Sequence, residues 1–278
     1  MSTAPIGLLS SAATETLLQN RRETIVPTPW GDAHVLLGQI GGTDAAVILR
    51  YGAGLTIPSH RINHRANIWA FRELGATSVI SQNAIGSVNR AIRPGDIVIS
   101  DDFLDRTKAR PLSLFDDTDC WVRVDMTEPF CPRLRAALIT AATARSNRVI
   151  PRGVFVCTEG PRFETPAEIN AYRLEGGDIV GTPLVPEVVF AREAELCFAS
   201  IAPVINFGAG MAPAVIHVGD GSMNDIYYRE GLHDLVEQII IATVSGLAAP
   251  RHCACGTALH HGFHGTPPAW LQRTAPRP

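Results

Sequence analysis

No apolar run in the 278 residues is long enough to cross a bilayer, and no basic segment followed by a long apolar stretch opens the chain. Those gaps exclude a helical membrane span and a secretory signal of the usual form, so a soluble, cytoplasmic protein is expected. Charge is sparse too. Charged residues make up 18% and the net charge is −3, which gives no footing for a nucleic acid or an acidic membrane as partner. The six cysteines are too few, over so long a chain, to form a disulfide framework, and reduced thiols fit better. No internal repeat is visible. What the chain does have is apolar side chains, 46% of the total and enough for a substantial core. Length alone allows one large α/β domain or two small ones.

The order of elements decides between them. Ala33 to Ile40 and Ala45 to Arg50 are β-rich runs split by a Gly-Gly turn, which predicts a hairpin. From Arg61 to Leu74, Ile62, Ala66, Trp69, Ala70 and Leu74 recur at helical spacing, and Gly75 stops the run. A strand from Ser78 to Ser81 leads into the loop Gln82 to Gly86, and another runs from Ile97 to Ser100. Further on, helices are expected over Pro132–Arg145, Thr165–Leu174, Pro186–Leu196 and Met223 to about Leu247. Strands are expected over Gly153–Thr158, Asp178–Gly181 and Phe198–Ile205. Such alternation predicts one three-layer α/β domain over residues 1–250, a central mixed sheet flanked by helices. Ligand sites in these sheets form in loops at strand ends, so the loops after Ser81, Thr158, Gly181 and Ile205 are the candidates. The Gly- and Ala-rich loop Gly208 to Gly221 is expected to move. The Pro-, His- and Gly-rich tail, 251–278, lacks periodicity and is expected to be disordered.

These features alone support only a soluble α/β enzyme. Several collinear segments add more: Asn67 to Gly75, Pro94 to Thr107, Glu128 to Pro132, Glu159-Gly160-Pro161-Arg162-Phe163-Glu164-Thr165, Val185-Pro186-Glu187, and Ala191 to Ala194. Through them the chain resembles the purine nucleoside and methylthioadenosine phosphorylase family over roughly residues 25 to 250. The resemblance implies a homotrimer that cleaves the N-glycosidic bond of a purine nucleoside, with inorganic phosphate as co-substrate and no cofactor. That chemistry must stabilise charge on the departing base, hold a cationic ribosyl group and present phosphate to C1′.

By the same resemblance, Phe163 packs on the purine face and Glu164 accepts from N1–H of a 6-oxopurine. Asn206 contacts N7 and the 6-substituent, and it forms with Glu164 the catalytic pair. Adenine-preferring members carry Asp at the Asn206 position and lack the Glu, so this pair implies a 6-oxopurine. The phosphate side departs from the family. Its Gly-rich opening loop reads Ile6-Gly7-Leu8-Leu9-Ser10-Ser11-Ala12-Ala13, and its Arg-His-Gly reads Arg50-Tyr51-Gly52. Its Met-Thr or Met-Ser before Val-Pro-Glu reads Thr182-Pro183. Arg50, Ser10, Ser11 and the loop Asn83-Ala84 are the remaining phosphate candidates, and Thr182 stands at the ribose contact. For the 5′ end the candidates are Arg123 and Met223, with His217 further along. A subunit-contact Arg and a core Met are the competing readings of the first two.

Three explanations of the altered phosphate side compete: phosphate bound through new partners, water in its place, or a purine pocket kept without catalysis. The tail residues His252, Cys253, Cys255, His260, His261 and His264 invite a metal reading, but Cys-x-Cys is not the usual zinc spacing and no metal is expected. Asp101-Asp102 belongs to the family's loop after a strand. Glu187 is expected to order its loop rather than react, since its Pro-Glu start fits a first helical turn.

Overall fold

The computed structural model describes residues 5–11, 17–212, 225–247 and 251–273. A 12-stranded mixed sheet forms its middle layer. Strands β1 (Ile6–Ser10), β4 (Thr43–Leu49), β5 (Ser78–Gln82) and the N-terminal half of β13 (Cys197–Phe207) run parallel side by side. Both faces of these strands are covered: β1 and β5 are buried throughout, and β13 over its first nine residues. The hairpin expected from the Gly-Gly turn is present as β3 (Gly31–Ile40) and β4, and β2 (Gln19–Thr28) extends it antiparallel at the edge.

Strand β13 joins the two halves of the sheet. Its first part pairs with β5, and its end pairs with β6 (Ile85–Ser87) after an irregularity between Val204 and Asn206. Past β6 come β12 (Ile179–Gly181), β11 (Val154–Thr158) and β8 (Asp102–Arg106), with β7 (Ile97–Ile99) set against β13 and β10 (Val149–Ile150). The bulge bends the strand and re-aims the side chains at its far end. Asn206 lies there.

Helix α1 (His64–Glu73) packs with α4 (Leu184–Glu193) on one face of the sheet, over a core that includes Trp69, Phe71, Phe155, Phe190 and Phe198. Helix α2 (Pro132–Thr143) packs with α5 (Leu232–Gly246) on the other, around Leu134, Leu138, Val236, Ile239 and Ile240. Local chemistry sets the ends. Asn63 caps α1, its side chain accepting from Ala66 N–H, and Gly75 comes just after the helix at φ 79°. Thr165 and Glu168 form a reciprocal capping box on α3 (Pro166–Leu174).

Two expectations are corrected. The last long helix starts at Leu232, not at Met223: a π-helical turn spans Asp225–Arg229, and Gly231 at φ 75° interrupts the path between them. The tail, expected to be disordered from residue 251, is packed over 251–273. There β14 (Phe263–His264) pairs with β9 (Trp121–Val122), and Trp270, on α6 (Ala269–Arg273), sits among Trp30, Trp69 and Phe115 at ring centroid distances of 5.1, 4.7 and 5.3 Å. Aromatic area supplies the burial that periodicity did not announce.

Trp270→Ala should therefore lower stability by about 2 kcal/mol, somewhat less than for a fully buried tryptophan. Urea denaturation checks this. An unchanged midpoint would mean that the tail is not seated as described.

Candidate active site

A cleft of about 600 Å³ opens at the strand ends named by the alternation pattern. Ala84 and Gly86 enter it after β5, Phe163 and Glu164 after β11, Thr182 after β12, and Asn206 from the end of β13. Parallel strands with helical crossovers converge such loops on one rim.

At one end, Thr158 Oγ1 donates to Glu164 Oε1 at 2.7 Å and orients the carboxylate. Among the described residues Oε2 has no protein partner. Asn206 Nδ2 donates to the Phe207 carbonyl at 2.8 Å, which holds the carboxamide at the cleft and uses one of the two hydrogens of its amide nitrogen. Gly86 lies opposite in the ladder, and a Cβ there would stand 3.2 Å from Asn206 Nδ2. Glycine gives the amide its room. Phe163 stands at the rim, 41% exposed.

The other end has a buried floor. The Arg50 side chain is wholly buried and makes a two-point ion pair with Glu187, Nε to Oε1 and Nη2 to Oε2, both at 2.9 Å. Its Nη2 also donates to Ser81 Oγ at 3.0 Å, and Nη1 donates to Ser11 Oγ and the Gln82 carbonyl, each at 2.8 Å. A guanidinium has five N–H groups, and these five bonds use them all. Arg50 therefore stands behind the surface rather than on it, although the sequence places it among the phosphate ligands. Burial pushes Glu187 upward, but Arg50 and then His64 outweigh it and hold the carboxyl below its ordinary range.

Ser10 and Asn83 are also withdrawn from the cleft. Ser10 Oγ donates to Gln82 Oε1 at 2.6 Å, and Gln82 Nε2 in turn donates to the Tyr227 hydroxyl. Asn83 is fully buried; its amide N–H goes to the Ile201 carbonyl at 3.0 Å, and its Nδ2 to Ser200 Oγ at 3.0 Å. Both residues lie where the strands pack, so their polar atoms are spent inside. Ser11 and Ala84 do line the cleft. Ser11 Oγ donates to the Gln82 carbonyl at 3.0 Å while accepting from Arg50.

Thr182 Oγ1 is 2.9 Å from the hydroxyl of Tyr51, the residue where the resembled family has His. Burial raises the Tyr51 phenol, which stays protonated. Arg123 lies elsewhere in the chain, over the Trp121 ring at 4.8 Å and beside the tail. Met223 and His217 fall outside the described residues.

Three site residues have no signal in the sequence. Tyr227 and Tyr228 line the cleft from the π-helical turn, where the apolar pattern predicts a continuous helix. Arg110 is buried and donates to the carbonyls of Thr158, Glu159, Thr182 and Val185, tying together the loops that carry Glu164 and Thr182. One long-range cation holding four carbonyls leaves no local pattern.

Known proteins resemble this chain over most of its length. Residues 7–240 match the family model described as the Phosphorylase superfamily. The chain is 42% identical over 247 residues to the 6-oxopurine nucleoside phosphorylase of Pyrococcus furiosus, covering 87% of this chain and 92% of that one. It is 41% identical over 256 residues to a protein of Methanopyrus kandleri named "Probable S-methyl-5'-thioinosine phosphorylase", with coverage of 91% and 97%. Among solved structures, a methylthioadenosine phosphorylase from an antarctic soil metagenomic library superimposes with a TM-score of 0.85 at 29% identity, over 98% of this chain and 95% of that one.

The floor predicts a pH dependence. His64 Nδ1 lies 3.4 Å from Glu187 Oε1, and burial holds its imidazole below the ordinary value of 6.5. The folded protein then keeps His64 neutral where the unfolded chain protonates it. Its contribution is complete above pH 6.5 and is lost as pH falls below that value; Glu187 adds a further loss below its ordinary 4.5. His64→Gln should flatten the stability profile just below pH 6.5 in urea denaturation. Parallel profiles for variant and wild type would contradict this.

Proposed function

The chain belongs to the phosphorylase superfamily, and from that premise we propose that it cleaves the N-glycosidic bond of 6-oxopurine nucleosides, inosine, guanosine and methylthioinosine among them, by phosphorolysis. A phosphate oxygen bonds to C1′ while the C1′–N9 bond breaks. The bonding pair passes to the purine, which takes up a proton and leaves beside the ribosyl 1-phosphate. No cofactor enters this balance. The name of the Pyrococcus furiosus relative supports the substrate class.

The observation that carries the reading is the meeting of Glu164 and Asn206 in one cleft, from two strand ends, beside the exposed face of Phe163. Glu164 accepts from N1–H, a donor that a 6-oxopurine has and adenine lacks. Asn206 donates the second hydrogen of its Nδ2 to the N7 and 6-oxygen edge, where charge accumulates as the base departs. Phe163 covers the ring. Thr182, steadied by Tyr51, faces the ribose, and Tyr227 and Tyr228 close the same side.

Phosphate sits against Ser11 and Ala84. Arg50 acts on it indirectly: it donates to Ser11 Oγ and keeps the Gln82 carbonyl bonded when the Ser11 hydroxyl turns from that carbonyl to phosphate, so its charge is felt across one bonded layer. That arrangement also gives hydrolysis its standing as a second reading, because a guanidinium with every donor engaged grips an anion less firmly. A homotrimer is part of the proposal, and in it Arg123 would face a neighbouring copy. No described helix is long and apolar enough to cross a membrane.

Base release from inosine, with and without phosphate, tests the reading. Phosphate-dependent hypoxanthine release is expected; equal release without phosphate would replace phosphorolysis by hydrolysis. Glu164→Gln should lower kcat/KM for inosine by about 10- to 100-fold, the loss of one charged hydrogen bond. Asn206→Asp should move the inosine-to-adenosine ratio of kcat/KM toward adenosine by about 10-fold or more. An unchanged ratio would remove Asn206 from the base contact.

A further inference from the structure

Far from the cleft, four cysteines converge. Cys131 caps the N-terminus of α2, Cys197 begins β13, and Cys253 and Cys255 come from the packed tail. Their four Sγ atoms all lie within 4.8 Å of one another. Cys131, Cys197 and Cys255 are buried, and Cys253 is half-buried at the edge. Cysteines that only fill space have no reason to aim four sulfurs at one point. A tetrahedral thiolate site with metal–sulfur bonds of about 2.3 Å spaces its sulfurs about 3.8 Å apart, which this cluster can accommodate.

The surroundings suit negative sulfur. Arg192 Nη1 lies 3.7 Å from Cys255 Sγ. Arg133, in the first turn of α2, donates to Ser78 Oγ at 3.1 Å, and Ser78 is the ladder partner of Cys197; Cys131 holds the N-cap position of the same helix. Four thiolates around a divalent ion carry a net double negative charge, and two guanidinium groups with a helix N-terminus offset it. A thiolate is the form of cysteine that binds metal.

We propose that Cys131, Cys197, Cys253 and Cys255 form a structural site for a soft divalent cation of the zinc class. All four positions are taken by protein, so no coordination position is left open for catalysis. The ion fastens the tail to the start of α2 and to the end of β13 opposite Asn206. The Cys-x-Cys spacing carries no such signal in the sequence, because the other two ligands come from residues 131 and 197 and meet the tail only in the fold.

The test uses the full chain, prepared under reducing conditions and without an affinity tag. Elemental analysis should find one zinc per chain. After removal of the metal, cobalt(II) titration should give the intense near-ultraviolet sulfur-to-cobalt bands and the visible bands of a tetrahedral thiolate site, saturating at one equivalent. The variant carrying Cys253→Ser and Cys255→Ser together should lose the zinc and become open to proteolysis in the tail, while the remaining domain resists. Absence of bound metal would overturn the proposal, whether the intact mass reports free thiols or the hydrogen loss of disulfides. Full zinc occupancy in the double variant would overturn it equally.

Discussion

The buried pair of Arg50 and Glu187 is the constraint on which the cleft depends. Two charges removed from water are tolerated only where geometry and hydrogen bonds compensate, and here the carboxylate takes two parallel bonds while the guanidinium fills every donor position. The partners of Arg50 are not one element but several: Ser11 beyond β1, Ser81 and Gln82 at the end of β5, and Glu187 in the first turn of α4. Moving any one of these elements leaves a buried charge short of a partner. The pair thus fixes the rim by fixing what lies beneath it, and Arg110 repeats the device with carbonyls on the side of Glu164 and Thr182.

Dependence on distant partners explains which parts of the protein are legible in the sequence. The three-layer architecture and the rim loops come from local periodicity, since β–α alternation forces strand ends to converge. That Phe163, Glu164 and Asn206 share one cleft is legible because their segments are short and resemble a known pattern. The floor is not. Whether Arg50 faces a ligand or a carboxylate depends on Glu187, 137 positions away, and on the count of donors left over. Ser10 and Asn83 mislead for the same reason: each is polar, next to the cleft in sequence, and turned inward in space.

The C-terminal segment carries the complementary lesson. Composition suggests disorder because residues 251–273 have no amphipathic period of their own. Their order comes from distant partners: Trp270 from Trp30, Trp69 and Phe115, and His264 from Trp121 at a centroid distance of 4.0 Å. Periodicity detects faces that bury against a regular layer; it does not detect a single aromatic ring set into a slot. Tyr227 and Tyr228 escape likewise, since Gly231 breaks the helix that the apolar pattern continues.

Strand β13 connects tail and cleft, with Cys197 at its first position and Asn206 beyond a bulge near its last. In the proposed reaction this frame presents a base and a phosphate to one sugar carbon. Group transfer runs in both directions, whereas transfer to water does not return at these concentrations. The most direct measurement is nucleoside synthesis from hypoxanthine and ribose 1-phosphate, monitored by chromatography. Inosine and inorganic phosphate appearing in equal amounts is the predicted result. No inosine, from a preparation that cleaves inosine to free ribose, would contradict it.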